Sequence, residues 1–102
     1  YNTSKGAVSN MVRAMAMDAA KDGVRVNAVN PSFTRTGMTE YMVSDPELIA
    51  KFKERMPLGA PEDPEGVAAA MAFLASEDAR LITGVNLPVD AGLMASNGQP
   101  PQ

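Results

Sequence analysis

Tyr1 and Lys5 are the residues whose types and spacing best suit proton transfer, and they begin a stretch rich in alanine and methionine. Side chains four positions apart on a helix lie on one face, a turn apart. An ammonium about 6 Å from a phenol favours the ionised phenol and lowers its pKa. The pair can therefore act as a general acid or base near neutral pH. The alternative is a helix with a half-buried tyrosine and a solvated lysine.

The composition excludes several other kinds of chemistry. The 102 residues contain no cysteine and no histidine, which excludes thiol nucleophiles, disulfides, Ser-His triads and zinc sites of the Cys/His kind. A net charge of -3 without a basic run argues against nucleic acid as a partner. No apolar run approaches membrane-spanning length and no signal peptide is visible, so we expect a cytoplasmic protein with no membrane partner and no metal.

The first part of the chain predicts a helix followed by a strand. Apolar residues recur at helical spacing from Tyr1 to Asp22. The apolar face consists of Val8, Met11, Val12, Met15 and Ala19. Gly23 is expected to stop this helix, because glycine adopts the left-handed backbone that commonly follows a helix end. The alternation from Val24 to Asn30 predicts a short strand, which Pro31 ends.

The middle of the chain, from Ser32 to about Ala60, predicts an irregular segment that contains one short helix. This helix runs from Pro46 to Arg55, with Asp45 as its N-cap and proline at its first position. The segment is rich in apolar side chains, namely Met38, Tyr41, Met42, Leu48, Phe52 and Met56. They suit a flexible lid over a substrate, with Met38, Tyr41 and Met42 as its contacts, or they simply pack the short helix down.

The last part predicts a helix, a strand and a tail. The helix begins at Asp63-Pro64-Glu65 and ends near Ser76. Its expected buried face consists of Val67, Met71, Leu74 and Ala75. The alternation from Val85 to Val89 predicts a strand, placed at a sheet edge because Pro88 lacks an N–H. Two strands joined through a helix indicate a parallel, right-handed crossover.

These elements and their motifs resemble the C-terminal part of a short-chain dehydrogenase/reductase. The matching blocks are YNTSK at 1–5, GVRVNAVNPSFTRT at 23–36, PLG at 57–59, PEGVA at 64–68, FLAS at 73–76, ITG at 82–84 and VDAG at 89–92. The resemblance implies an α/β fold, the C-terminal portion of a Rossmann-type doubly wound parallel sheet. Residues 1–93 are then part of an NAD(P)-binding domain, and 94–102 form a polar tail.

The resemblance also implies a reaction and a set of site residues. Tyr1 would exchange a proton with a substrate alcohol or ketone while hydride passes to or from the nicotinamide of NAD or NADP. Lys5 would hold the nicotinamide ribose and lower the pKa of the tyrosine. The segment after the strand would meet the nicotinamide carboxamide through Pro31 and the backbone near Phe33 and Thr34, and Thr36 would add a hydroxyl contact. The substrate is a small-molecule alcohol/ketone pair.

The chain departs from the family pattern in three places and lacks part of the expected site. Ser32 and Ala91 stand where glycine is usual, and Ala60 stands where arginine is common. The family's glycine-rich phosphate loop and catalytic serine precede the tyrosine. We therefore expect this chain to be part of a longer protein and to be inactive alone.

Two non-catalytic functions remain as alternatives. In the family, the helix that carries the tyrosine packs against its copy in a second subunit. The apolar stripe Val8, Val12, Met15 and Ala19 can serve such an interaction module without chemistry. The second alternative is a small binding domain that uses the methionine-rich segment. For the protein as a whole we expect a homo-oligomer, a dimer or a tetramer.

Overall fold

The computed structural model describes residues 2–37 and 39–95 as an α/β arrangement. The helices are α1 (Asn2–Ala19), α2 (Glu40–Val43), α3 (Pro46–Arg55) and α4 (Pro64–Ala75), and short 3-10 turns follow at Ala20–Asp22, Glu77–Ala79 and Leu93–Ala95. The strands β1 (Ala28–Pro31) and β2 (Asn86–Val89) pair in parallel. The chain divides into two compact units, one comprising Tyr1–Asn30 and Ala69–Leu87 and the other Pro31–Ala68 and Pro88–Gln102.

The end of the first helix confirms the predicted stop at Gly23. This glycine adopts a left-handed backbone with φ 71° and donates its N–H to the carbonyl of Ala20 at 3.0 Å. The N–H of Val24 then donates to the carbonyl of Ala19 at 3.2 Å. The last turn thus satisfies carbonyl groups that would otherwise lack partners, and the chain turns toward β1.

The first strand begins at Ala28, so the predicted start at Val24 is wrong. Side chains take part in the hydrogen bonding of the residues before it. The amide of Asn27 donates to the carbonyl of Ile82 at 2.9 Å and accepts the N–H of Val85 at 3.0 Å. One side-chain amide supplies a donor and an acceptor, so it adds to the main-chain bonds on either side of it, from Gly84 to Val26 at 2.8 Å and from Ala28 to Val85 at 2.9 Å.

The core of the first unit is small. Val12 and Ala16 of α1 are buried, as is Leu74 of α4. The prediction that Met71 lies on a buried face is wrong, because 56% of it is exposed. A two-stranded sheet offers too little surface to cover the whole apolar face of a helix. The stripe residues Val8, Met11 and Met15 are also about half exposed, at 47%, 51% and 47%.

The second unit is organised around α3, whose predicted bounds and cap are confirmed. The Oδ1 atom of Asp45 accepts the N–H groups of Glu47 and Leu48 at 3.1 and 3.3 Å. The ring of Phe52 packs on that of Phe33, with ring centroids 4.5 Å apart. The short helix α2 was not predicted, because only a local turn of the irregular segment forms it.

One departure from the family pattern has a visible backbone consequence. Ala91 adopts φ 55°, the left-handed region that glycine enters without a steric penalty. Its carbonyl accepts the N–H of Leu58 at 3.0 Å. The turn after β2 is therefore formed here by an alanine at a position that suits glycine better.

We predict that Asp45→Ala lowers the free energy of unfolding of the full-length protein by about 1 kcal/mol, because two helix N–H groups lose their acceptor. Urea denaturation measures the change. Asp45→Asn is the matched control, since asparagine caps helices about as well and should retain most of the stability. Equal losses in the two variants would contradict the capping role.

Candidate functional site

Three hydrogen bonds connect the segment that follows β1 to Glu62. The N–H of Ser32 donates to the Oε1 atom of Glu62 at 2.9 Å. The N–H of Glu62 donates to the carbonyl of Phe33 at 2.7 Å, and the N–H of Arg35 donates to the carbonyl of Glu62 at 2.8 Å. Thr34 and Glu62 thus form a parallel bridge. The loop from Ser32 to Arg35 is anchored by one side-chain bond and two main-chain bonds.

In this pairing the N–H and carbonyl groups of Thr34 point away from Glu62. In extended backbone, the N–H and carbonyl groups of successive residues point to opposite sides. The carbonyl of Thr34 accepts the hydroxyl of Thr39 at 2.7 Å. Among residues 2–37 and 39–95, the N–H of Thr34 donates no hydrogen bond. This N–H is therefore a main-chain donor available to a ligand in the described part of the chain.

Thr36 is tied to Thr39, a residue that the sequence analysis missed. The N–H of Thr36 donates to the Oγ1 atom of Thr39 at 2.9 Å, and the two hydroxyl oxygens lie 3.3 Å apart. A threonine three residues after another is a common local hydrogen-bonding pattern, so the spacing carried a usable signal. The Thr36 hydroxyl is exposed and shares a hydrogen bond with its neighbour.

The serine that replaces the usual glycine fits the loop without strain. Ala91 is the one non-glycine residue with positive φ in the described part of the chain, so the backbone at Ser32 does not require glycine. The hydroxyl of Ser32 lies 3.9 Å from the sulfur of Met56, whose side chain is fully buried. The added side chain is therefore accommodated on the interior of the second unit.

Glu62 lies among other acidic groups. Burial raises its pKa, and the charges of Asp90 and Asp63 raise it further, while the hydrogen bond from Ser32 acts in the opposite direction. Asp90 is buried, and its carboxylate accepts the N–H groups of Gly92 and Met94, each at 3.1 Å. The described residues contain no group of three or more side chains suited to hold a metal ion.

The remaining predicted site residues lie in different parts of the chain. Tyr1 and Met38 fall outside the described residues. Lys5 is an exposed residue of α1 in the first unit. In the second unit, Tyr41 of α2 is 75% exposed and Met42 is half-buried. Of the predicted site residues, the structure therefore places Phe33, Thr34 and Thr36 together in the loop after β1.

A groove of about 610 Å³ lies beside this loop within the second unit. Its walls include Arg35 and Thr36 on one side and Pro61 to Glu65 on the other. Arg35 also forms an exposed ion pair with Glu40 at 3.2 Å.

None of the helices among the described residues combines the length and apolar character needed to cross a bilayer.

Comparison with known proteins assigns the family. The family model described as Enoyl-(Acyl carrier protein) reductase matches residues 1–94. Meso-2,3-butanediol dehydrogenase from Serratia marcescens is 54% identical over 98% of this chain and 39% of its own length. The chain thus spans about two fifths of this relative.

Solved structures agree in fold. The complex of 4-hydroxyisoleucine dehydrogenase with NADH matches with a TM-score of 0.88 and 33% identity, covering 93% of this chain and 39% of that chain. A structure from Agrobacterium tumefaciens with bound NADP matches with a TM-score of 0.88 and 32% identity, covering 94% and 39%. The α/β fold is thus the C-terminal portion of a Rossmann-type doubly wound sheet. The chain belongs to the short-chain dehydrogenase/reductase family.

Proposed function

We propose that the protein containing this chain is an NAD(P)-dependent oxidoreductase that interconverts a secondary alcohol and a ketone. The observation that carries this proposal is the loop from Ser32 to Arg35, which is anchored on Glu62 and in which the Thr34 N–H has no acceptor among the described residues. Family membership and the dehydrogenase similar in sequence over 98% of the chain support it. The structures similar to this chain that contain NADH or NADP support the choice of cofactor class.

The loop has the donors that a nicotinamide carboxamide requires. A carboxamide oxygen is an acceptor, and the Thr34 N–H is a donor with no other partner among the described residues. The Thr36 hydroxyl and Pro31 would complete this side of the site, and Lys5 would hold the ribose. When bound, the nicotinamide supplies or accepts the hydride.

Proton transfer is assigned to Tyr1. Its phenol would donate a proton to the substrate carbonyl during reduction and accept one from the alcohol during oxidation. Lys5 lies one helical turn further along the chain, and a cation there would favour the ionised phenol. The chain contains no histidine or cysteine that could replace it in this role.

The segment around α2 is assigned to the substrate. Tyr41, which is 75% exposed, and the adjacent half-buried Met42 would contact the substrate as part of an apolar lid. Met38 would contribute from the preceding turn. The similarity to a butanediol dehydrogenase supports a small alcohol as substrate.

The assembly proposed for the whole protein is a homo-oligomer, a dimer or a tetramer. Val8, Met11 and Met15 present a half-exposed apolar stripe on α1. The alternative function, a non-catalytic oligomerisation module, would use the stripe expected from the sequence, Val8, Val12, Met15 and Ala19, of which Val12 is buried. We also retain as proposals a cytoplasmic location and a domain limit near residue 93.

The first prediction concerns the proton carrier. In the full-length protein, Tyr1→Phe should lower turnover by about 100-fold or more, because the general acid is lost. The dissociation constant for cofactor should stay unchanged, since the phenol hydroxyl adds little to binding. Steady-state rates and fluorescence titration with NADH and NADPH measure both. A rate within about tenfold of the parent would contradict the assignment.

Lys5→Ala extends the same prediction to pH. Without the ammonium the phenol pKa rises, so the rate of alcohol oxidation should reach half its maximum at a higher pH than in the parent. Cofactor binding should also weaken. Lys21→Ala, at the far end of the same helical segment, is the control with an equal charge change. An unchanged pH profile in Lys5→Ala would remove the lysine from this role.

The second prediction concerns the lid. Tyr41→Ala should raise the KM for substrate by about tenfold, because an apolar contact formed on closure is lost. Hydrogen exchange of residues 39–43 should slow when cofactor and substrate bind. Leu81→Ala is the matched control, since Leu81 is an exposed apolar residue of the first unit. If hydrogen exchange of residues 39–43 were equal in the free and bound protein, these side chains would pack the short helix and would not form a lid.

The third prediction concerns assembly. A Val8→Asp/Met15→Asp double variant should shift the full-length protein to a smaller species, because each charge would be buried at the interface. Light scattering at micromolar concentration measures the mass. Met17→Asp is the control, because Met17 lies on the opposite face of α1 and is 80% exposed. A parent protein that is monomeric would refute the interface.

A further inference from the structure

Glu62 contributes to the loop in a way that depends on its residue type. Its N–H and carbonyl pair with Phe33 and Arg35, and any residue with an N–H could form those two bonds. The third bond, from the N–H of Ser32 to the Oε1 atom at 2.9 Å, requires a side chain of this length that ends in an acceptor. The side chain therefore adds a contact that the backbone alone cannot supply.

The position of this contact makes it important for the loop. Ser32 is the first residue after β1, where the chain leaves the regular ladder. Bonds at Ser32, Phe33 and Arg35 hold the loop on both sides of Thr34. Loss of the first bond would remove one of the two contacts that precede Thr34 and leave the main-chain bonds at Phe33 and Arg35. The orientation of the Thr34 N–H would then be set by fewer contacts.

We propose that Glu62 is a positioning residue, whose side-chain acceptor fixes Ser32 and thereby presents the Thr34 N–H to the nicotinamide carboxamide. The inference rests on the proposed function, because it assumes that this loop meets the cofactor. It concerns the acceptor oxygen, and the negative charge is not required. A neutral side chain with an oxygen at the same place should therefore serve as well.

The surroundings of Glu62 support this distinction between oxygen and charge. Burial and the charges of Asp90 and Asp63 raise its pKa, while the hydrogen bond from Ser32 acts in the opposite direction, so on balance folding makes the ionised carboxylate less favourable than it is in the unfolded chain. The stability associated with this raised pKa is present at low pH and is lost as the pH rises through it. Near neutral pH, glutamine should keep the acceptor and remove the repulsion. The Glu62→Gln protein should then be at least as stable as the parent.

The test uses the full-length protein and three variants, Glu62→Ala, Glu62→Gln and the control Glu54→Ala. Glu54 is an exposed acidic residue of α3, so its replacement causes the same change in charge. Each variant is measured in two ways, for the stability of the loop and for cofactor binding and use. The first is amide hydrogen exchange at residues 32–35 without cofactor. The second is the dissociation constant for NADH and NADPH by fluorescence titration, followed by the KM for the cofactor and by kcat.

We expect the alanine variant to differ from all the others. In Glu62→Ala, exchange at Ser32 and the cofactor dissociation constant should each rise by about tenfold, the effect of one lost hydrogen bond whose donor is left without its acceptor. The KM for the cofactor should rise more than kcat falls, because the lost contact orients the loop and moves no proton. Glu62→Gln and Glu54→Ala should remain close to the parent in both readouts.

Several results would overturn the inference. One is faster exchange in Glu62→Ala with unchanged cofactor affinity, which would give Glu62 a structural role only. Another is an equal loss of affinity in Glu62→Ala and Glu62→Gln, which would make the charge the important feature. A parent protein that binds neither nucleotide would contradict the proposed function instead. The exchange comparison, which needs no cofactor, would then show whether Glu62 holds the loop.

Discussion

The pairing of the loop after β1 with Glu62 is the constraint on which the candidate site depends. A chain that leaves a strand still carries an N–H and a carbonyl on nearly every residue, and these groups need partners where they are removed from water. Glu62 supplies partners to three of them, in Ser32, Phe33 and Arg35, across separations of 27 to 30 residues in the sequence. The loop is thereby held extended, and the backbone of Thr34 is turned away from its anchor. An anchored loop whose Thr34 N–H has no acceptor in the described part of the chain is suited to bind a flat polar group.

Side-chain hydrogen bonds supplement the main-chain pairing of the strands in both units of the chain. In the first unit, the amide of Asn27 bonds to the carbonyl of Ile82 and the N–H of Val85, just before the regular pairing of β1 with β2 begins. In the second, the carboxylate of Glu62 bonds to Ser32 just after β1 ends. Each side chain thus adds to the hydrogen bonding at the end of a short strand, next to main-chain bonds such as that from the N–H of Gly84 to the carbonyl of Val26. Strands of four residues need this support, because so few ladder bonds stabilise them.

The second unit also concentrates acidic groups near the site. Asp90 is buried, and its two carboxylate oxygens accept N–H groups of the turn after β2. Two main-chain donors offset much of the cost of burying its charge. Glu62 accepts one N–H, and its pKa is raised by burial and by the charges of Asp90 and Asp63, while the bond from Ser32 acts in the opposite direction. In both residues the carboxylate oxygens serve as acceptors for main-chain N–H groups.

The sequence alone determined the features that depend on neighbours along the chain. The stop at Gly23 and the cap and bounds of α3 require only local geometry, and the motif order indicated the family and the Rossmann-type fold. The tertiary structure decided the start of β1, the exposure of Met71 and the anchoring of the loop by Glu62, since each depends on partners distant in the sequence. No periodicity or spacing encodes such partners. The acceptor for Ser32 therefore became apparent only once the chain had folded.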